Sequence, residues 1–83
     1  MTITKVNNLA VVWSQPNCKY CTMAKQLLEV KGFLVEERSI GNGMWEVADL
    51  MKAVPDARSV PQIFIDGKYI PKGYEGLKEF FSD

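Results

Sequence analysis

Apolar residues fall along this chain in short runs and stripes, and their period changes from element to element. Leu9, Ala10, Val11, Val12 and Trp13 form an unbroken run that fits a strand buried on both faces of a sheet. The run ends at Ser14, Gln15, Pro16 and Asn17. Tyr20, Met23, Ala24, Leu27 and Leu28 then fall at i, i+3, i+4, i+7 and i+8, one stripe of a helix. Asn17 is the expected N-cap and Gly32 the expected C-terminal stop. Phe33, Leu34 and Val35 lead a second strand towards Ile40, and the tight strand, helix, strand succession predicts a right-handed parallel crossover.

Beyond Gly41, Asn42 and Gly43 a second helical stripe runs through Met44, Val47, Leu50, Met51 and Val54, stopped by Pro55. Gln62, Ile63, Phe64 and Ile65 read as a strand. Asp66 and Gly67 suit the positive backbone angles of a two-residue hairpin turn, and Lys68, Tyr69 and Ile70 return. Tyr74, Leu77, Phe80 and Phe81 close the chain as a short helix. The predicted order is βαβαββα, an α/β fold, with residues 1–83 as a single domain.

Length and charge narrow the function classes. Eighty-three residues, 47% of them hydrophobic, suffice for one core and are too few for two. No stretch approaches the ~18 uninterrupted apolar residues of a membrane span, and the Leu9 to Trp13 run is too short for a signal-peptide core. A soluble, cytoplasmic protein is expected. Ten basic and ten acidic residues balance, so the chain lacks the basic footprint that neutralises nucleic-acid phosphates. Two cysteines, Cys18 and Cys21, and no histidine are too few for a structural zinc site within one chain. A bridge between them would close too short a loop to act as a scaffold disulfide.

The pair opens the first helix, directly after the first strand, which is the context of Cys-x-x-Cys redox motifs. With one sulfur at the helix start and the other nearly one turn on, both reach bonding distance without unwinding the helix. Unpaired NH groups and the positive helix end favour a thiolate on Cys18, and Lys19 adds a cation. Greater thiolate population is largely offset by weaker nucleophilicity, so the larger benefit is that Cys18 leaves readily when displaced. Cys21 would resolve the mixed disulfide. Two other readings stay open at this point: inert buried thiols, or half of a metal site shared with another chain.

Three segments change that balance. Pro16, Asn17, Cys18, Lys19, Tyr20 and Cys21 are similar to the Cys-Pro-Tyr-Cys site of glutaredoxins. Arg58 to Gly67 resembles that family's Thr-Val-Pro strand and the hairpin after it. Gly73, Tyr74, Glu75 and Leu77 resemble its Gly-Gly-aromatic-Asp-Asp-Leu segment. The resemblance implies a thioredoxin-like fold, a four-stranded mixed sheet flanked by three helices, and a dithiol oxidoreductase with Cys18 and Cys21 catalytic. It implies a cis Pro61 that leaves the Val60 backbone free for the cysteinyl part of glutathione, in the manner of strand addition. Tyr74 and Glu75 would receive the γ-glutamyl end at a helix start, Tyr20 would line the groove, and Arg58 would attract a carboxylate. Gln15 stands where many members place a lysine for the glycine carboxylate, Lys19 replaces the common proline, and Lys72 and Gly76 depart from the third segment; Lys19 or Lys72 could supply a cation from another side.

By the same resemblance, glutathione is a co-substrate, no cofactor is tightly bound, and the chain is a monomer. Protein disulfides such as that of ribonucleotide reductase are the expected substrates. Two rivals keep the cysteines but change the role: a thioredoxin-like donor reduced by a thioredoxin reductase, and a carrier of an iron-sulfur cluster ligated with glutathione. Trp45, beside the second apolar stripe, is a candidate to help hold a protein substrate if its side chain is exposed.

Overall fold

The computed structural model describes residues 8–82. Its elements are β1 (Leu9–Ser14), α1 (Lys19–Val30), β2 (Leu34–Ser39), α2 (Val47–Ala53), β3 (Gln62–Ile65), β4 (Lys68–Ile70) and α3 (Gly73–Phe81), in the predicted order. One mixed sheet runs β2-β1-β3-β4. β1 and β2 are parallel across the α1 crossover, while β3 is antiparallel to both β1 and β4.

The unbroken apolar run of β1 is explained by its central place. Successive side chains point to opposite faces, and Ala10 and Val12 enter a core with Ala24 and Leu28 of α1, Ile63 of β3 and Leu77 of α3, all fully buried. Trp13 faces the other way, into a smaller cluster with Leu50 and Val54, against which Val11 and Phe64 also pack. The β3–β4 turn has positive φ at Asp66 and Gly67 as predicted. Asp66 also ties the hairpin to β1: its NH donates to the Leu9 carbonyl at 2.8 Å, and its carboxylate accepts from the Leu9 NH at 3.0 Å.

Several local expectations fail. Asn17 is not the N-cap of α1; it takes a left-handed φ of 63°, and Cys18 occupies the cap. Phe33 precedes β2 instead of leading it. Met44 lies outside α2 and is 74% exposed, and Val47 and Met51 are exposed as well, leaving Leu50 as the buried residue of that helix. The cause is local pairing. A bridge between Ile40 and Trp45, with the Gly41 NH donating to the Trp45 carbonyl at 2.9 Å, holds this segment extended, so the helix cannot begin before Glu46.

Trp45 is partly buried and packs against the smaller core. Its ring meets Trp13 edge to face at 5.3 Å, and the Arg38 guanidinium lies 4.5 Å from its centroid. Arg38 is also 5.2 Å from the Trp13 ring and donates to Glu36 at 2.7 Å. The indole therefore helps to close the smaller core.

Candidate active site

β1 ends at the fully buried Ser14, and Gln15 to Asn17 carry the chain to Cys18. Cys18 has the extended backbone of an N-cap, so its side chain faces the open end of α1, and its sulfur accepts the Cys21 NH at 3.2 Å. The sulfur thus does the work that a serine or aspartate oxygen does in other helices. No acidic residue stands in the first turn to offset the helix dipole. Cys18 and Cys21 are joined as a disulfide with Cα atoms 5.2 Å apart. Cys18 is half-buried and Cys21 only 2% exposed, so a reagent from solvent meets the first sulfur and not the second.

Across from the pair lies the segment before β3. The Val60 carbonyl oxygen is 3.9 Å from the Cys18 sulfur, and the Val60–Pro61 peptide bond is cis. The mostly buried Gln62 fixes this segment from below. Its amide donates to the Ser59 carbonyl, and its oxygen accepts from the Tyr69 hydroxyl, both at 2.7 Å. Beside Val60 opens a cleft of about 530 Å³, walled by Tyr20, Val60, Pro61, Gln62, Tyr69 and the start of α3 from Lys72 to Glu75.

That helix start is built by backbone geometry. Lys72, the N-cap, has a left-handed φ of 72° and makes no side-chain cap. The first NH groups of α3 therefore lack helical partners and remain free for a ligand. Gly73, also at positive φ, brings this end so close to β3 that a Cβ would lie 3.2 Å from the Pro61 carbonyl oxygen.

The predicted site residues separate into groups. Tyr20, Val60, Pro61, Tyr74 and Glu75 share the cleft. Tyr20 is not part of the core stripe; it is 53% exposed, and its ring leans on Tyr74 at 5.9 Å. Tyr74 both packs on the main core and lines the cleft, whereas Glu75 is exposed and pairs with Lys78 at 3.4 Å. Gln15 and Arg58 instead line a second cleft of about 390 Å³, which shares Ser59 and Val60 with the first. Lys19 is exposed in the first turn of α1 and lines neither. Gln62, Tyr69 and Gly73 went unassigned in the sequence. A polar residue opening an apolar strand was the available signal for Gln62, while Tyr69 reaches the cleft only through the hairpin.

The family model for glutaredoxin matches residues 10–70. This chain belongs to the glutaredoxin family. Among curated relatives, it is 36% identical over 75 residues to a glutaredoxin of Ricinus communis, covering 84% of this chain and 74% of that protein. It is 38% identical to the hybrid peroxiredoxin hyPrx5 of Haemophilus influenzae over 86% of this chain and 28% of the other. The mitochondrial glutaredoxin-2 of Bos taurus is 36% identical over 77% of this chain and 42% of its own length. The chain thus spans less than half of those last two relatives. Solved structures agree on the fold. Glutaredoxin 1 of Francisella tularensis, complexed with cacodylate, superposes with a TM-score of 0.70 at 26% identity, covering 86% of this chain and 88% of that one. The holo form of glutaredoxin C1 from Populus tremula x tremuloides gives 0.67 at 27% identity, covering 89% and 74%. In this glutaredoxin-family chain, the fold is the expected thioredoxin-like one, with three helices on a four-stranded mixed sheet.

Proposed function

We propose that this chain is a glutathione-dependent thiol-disulfide oxidoreductase acting through Cys18 and Cys21. One observation carries the reading: an accessible sulfur at a helix N-cap, receiving a backbone NH, sits above a buried second sulfur and beside a cleft. In the reduced protein the Cys21 NH stabilises a thiolate on Cys18. That thiolate attacks a substrate disulfide, forming a Cys18 mixed disulfide and expelling one substrate thiolate. Cys21 then attacks the Cys18 sulfur, closes the internal disulfide and expels the second. Glutathione attacks Cys18 and frees Cys21, and a second glutathione attacks the glutathionyl sulfur, giving glutathione disulfide and the original thiolate. Two glutathione thiols are oxidised for each substrate disulfide reduced.

The cleft supports glutathione as the donor. Its cysteinyl backbone fits along Val60, as an added strand would, and its γ-glutamyl carboxylate suits the free NH groups at the start of α3. Glu75 faces the ammonium, and Tyr20 and Tyr74 wall the peptide. The glycyl end then points past Val60 to the second cleft, where Arg58 offers a cation and Gln15 an amide. Lys19 adds positive charge near the cysteine pair. The wider reading is a monomer in the cytoplasm that reduces protein disulfides, ribonucleotide reductase among them, with no tightly bound cofactor. Hydroxyethyl disulfide reduction with glutathione tests the division of labour. Cys18→Ser should abolish turnover and Cys21→Ser should keep part of it; equal activity in the two variants would sink the assignment.

A further inference from the structure

The second cleft is larger and more apolar than a glycine carboxylate requires. Ile40, Val47, Leu50 and Met51 line it together with Arg58 and the Val60 backbone shared with the first cleft. Val47 is 56% and Met51 44% exposed, so two apolar side chains of α2 stand open to solvent beside the reacting sulfur's own wall. The Val60 carbonyl lies 3.9 Å from that sulfur, which makes this surface continuous with the place where a disulfide must lie. Glutathione ends in glycine and has no side chain to fill such a space. A polypeptide does.

We infer that the second cleft reads the sequence of a polypeptide disulfide, accepting a large apolar side chain within the two residues that follow the reacting cysteine. The inference rests on the orientation proposed above, in which the amino side of the bound peptide lies at the start of α3. The carboxyl side must then run past Val60 towards α2. Successive residues of an extended segment face opposite ways, so one of the two that follow the cysteine turns towards Val47 and Met51. Arg58 is the charged residue on this cleft's wall and suits a carboxylate beyond the apolar residue. The chemistry is unchanged: Cys18 forms the new disulfide to the polypeptide cysteine, and the thiolate formerly bonded to that cysteine leaves.

Three disulfide-linked peptide dimers test this, with chains Gly-Gly-Cys-Leu-Leu-Gly, Gly-Leu-Leu-Cys-Gly-Gly and Gly-Gly-Cys-Gly-Gly-Gly, each reduced with glutathione and compared by kcat/KM. The dimer with leucine after cysteine should exceed the glycine dimer by about tenfold, the scale of discrimination by an apolar pocket. Leucine before cysteine should gain less than threefold. Met51→Ser, at an exposed position, should keep the wild-type thermal melt while cutting the tenfold preference to under threefold; the preference is a ratio of kcat/KM values at one glutathione concentration, so any change in the glutathione step divides out of it. Equal rates for the leucine-after and glycine dimers, a preference for leucine before cysteine, or a preference that survives Met51→Ser would each overturn the inference. Loss of hydroxyethyl disulfide turnover in the wild-type protein would overturn the proposed function with it. Turnover without peptide preference would overturn the inference alone.

Discussion

Gly76 shows how one missing side chain shapes the cleft. The chain enters α3 through the left-handed Lys72, which folds Pro71 back over the first turn of the helix. A Cβ at position 76 would collide with the Pro71 carbonyl oxygen, approach its carbon to 2.8 Å and meet the Lys72 Cβ at 3.0 Å. The obstacle is backbone, so a rotamer change gives no relief. Replacing a helical glycine by alanine ordinarily gains about 1 kcal/mol, but overpacking a closed site costs about 1 to 3 kcal/mol. Gly76→Ala should therefore lower stability by up to about 2 kcal/mol in urea unfolding; a more stable variant would refute the steric reading. The same scale shows what residue identity conceals. Asparagine is the better N-cap by type, yet Cys18 caps α1 and Asn17 takes the positive φ of the turn before it. The cysteine spacing announced the chemistry, but the capping role depends on backbone geometry three residues long.

At the scale of elements, alternation and helical periodicity found every strand and helix, and went wrong where a long-range contact competes with the stripe. Met44 and Val47 continue the helical period of Leu50 and Met51, so the pattern alone starts the helix at Met44. The Ile40 to Trp45 bridge and the Trp13 to Trp45 contact decide otherwise, drawing residues 44 and 45 into an extended link across the smaller core. Nothing local in the sequence marks Trp45 as the side chain that closes it. Trp45→Ala removes the edge-to-face contact and one face of the Arg38 sandwich, so stability should fall by about 2 kcal/mol. Specific activity on hydroxyethyl disulfide, measured well below the melting temperature, should stay within twofold. A variant of wild-type stability that loses turnover of protein substrates would instead restore the docking role.

Taken whole, the molecule places its reacting groups through contacts the sequence does not order. Cys18 and Val60 stand 42 residues apart, and they meet because β3 pairs with β1, whose end carries the cysteine loop. The strand and hairpin were legible; the pairing came from likeness to a family, since short apolar runs do not state their partners. A polar contact ties the same frame from beneath. Glu37 of β2 accepts from the fully buried Ser14 hydroxyl of β1 at 2.6 Å and pairs with Lys25 of α1 at 2.8 Å. The hydrogen bond from Lys25, and then that from Ser14, hold the Glu37 carboxyl below its ordinary range. Since the folded protein binds this proton more weakly than the unfolded chain, the stabilisation is complete above the unfolded value of about 4.3 and is lost as pH falls through the lower folded value. The ion pair is partly exposed and contributes under about 1 kcal/mol, whereas leaving the Ser14 hydroxyl unpaired costs about 1 to 2 kcal/mol. Glu37→Ala should therefore destabilise the fold by about 2 kcal/mol at pH 7, and its gap from wild type in urea midpoint should narrow below about pH 4. A gap that stays constant down to pH 3 would mean that Glu37 acts through packing and not through its charge.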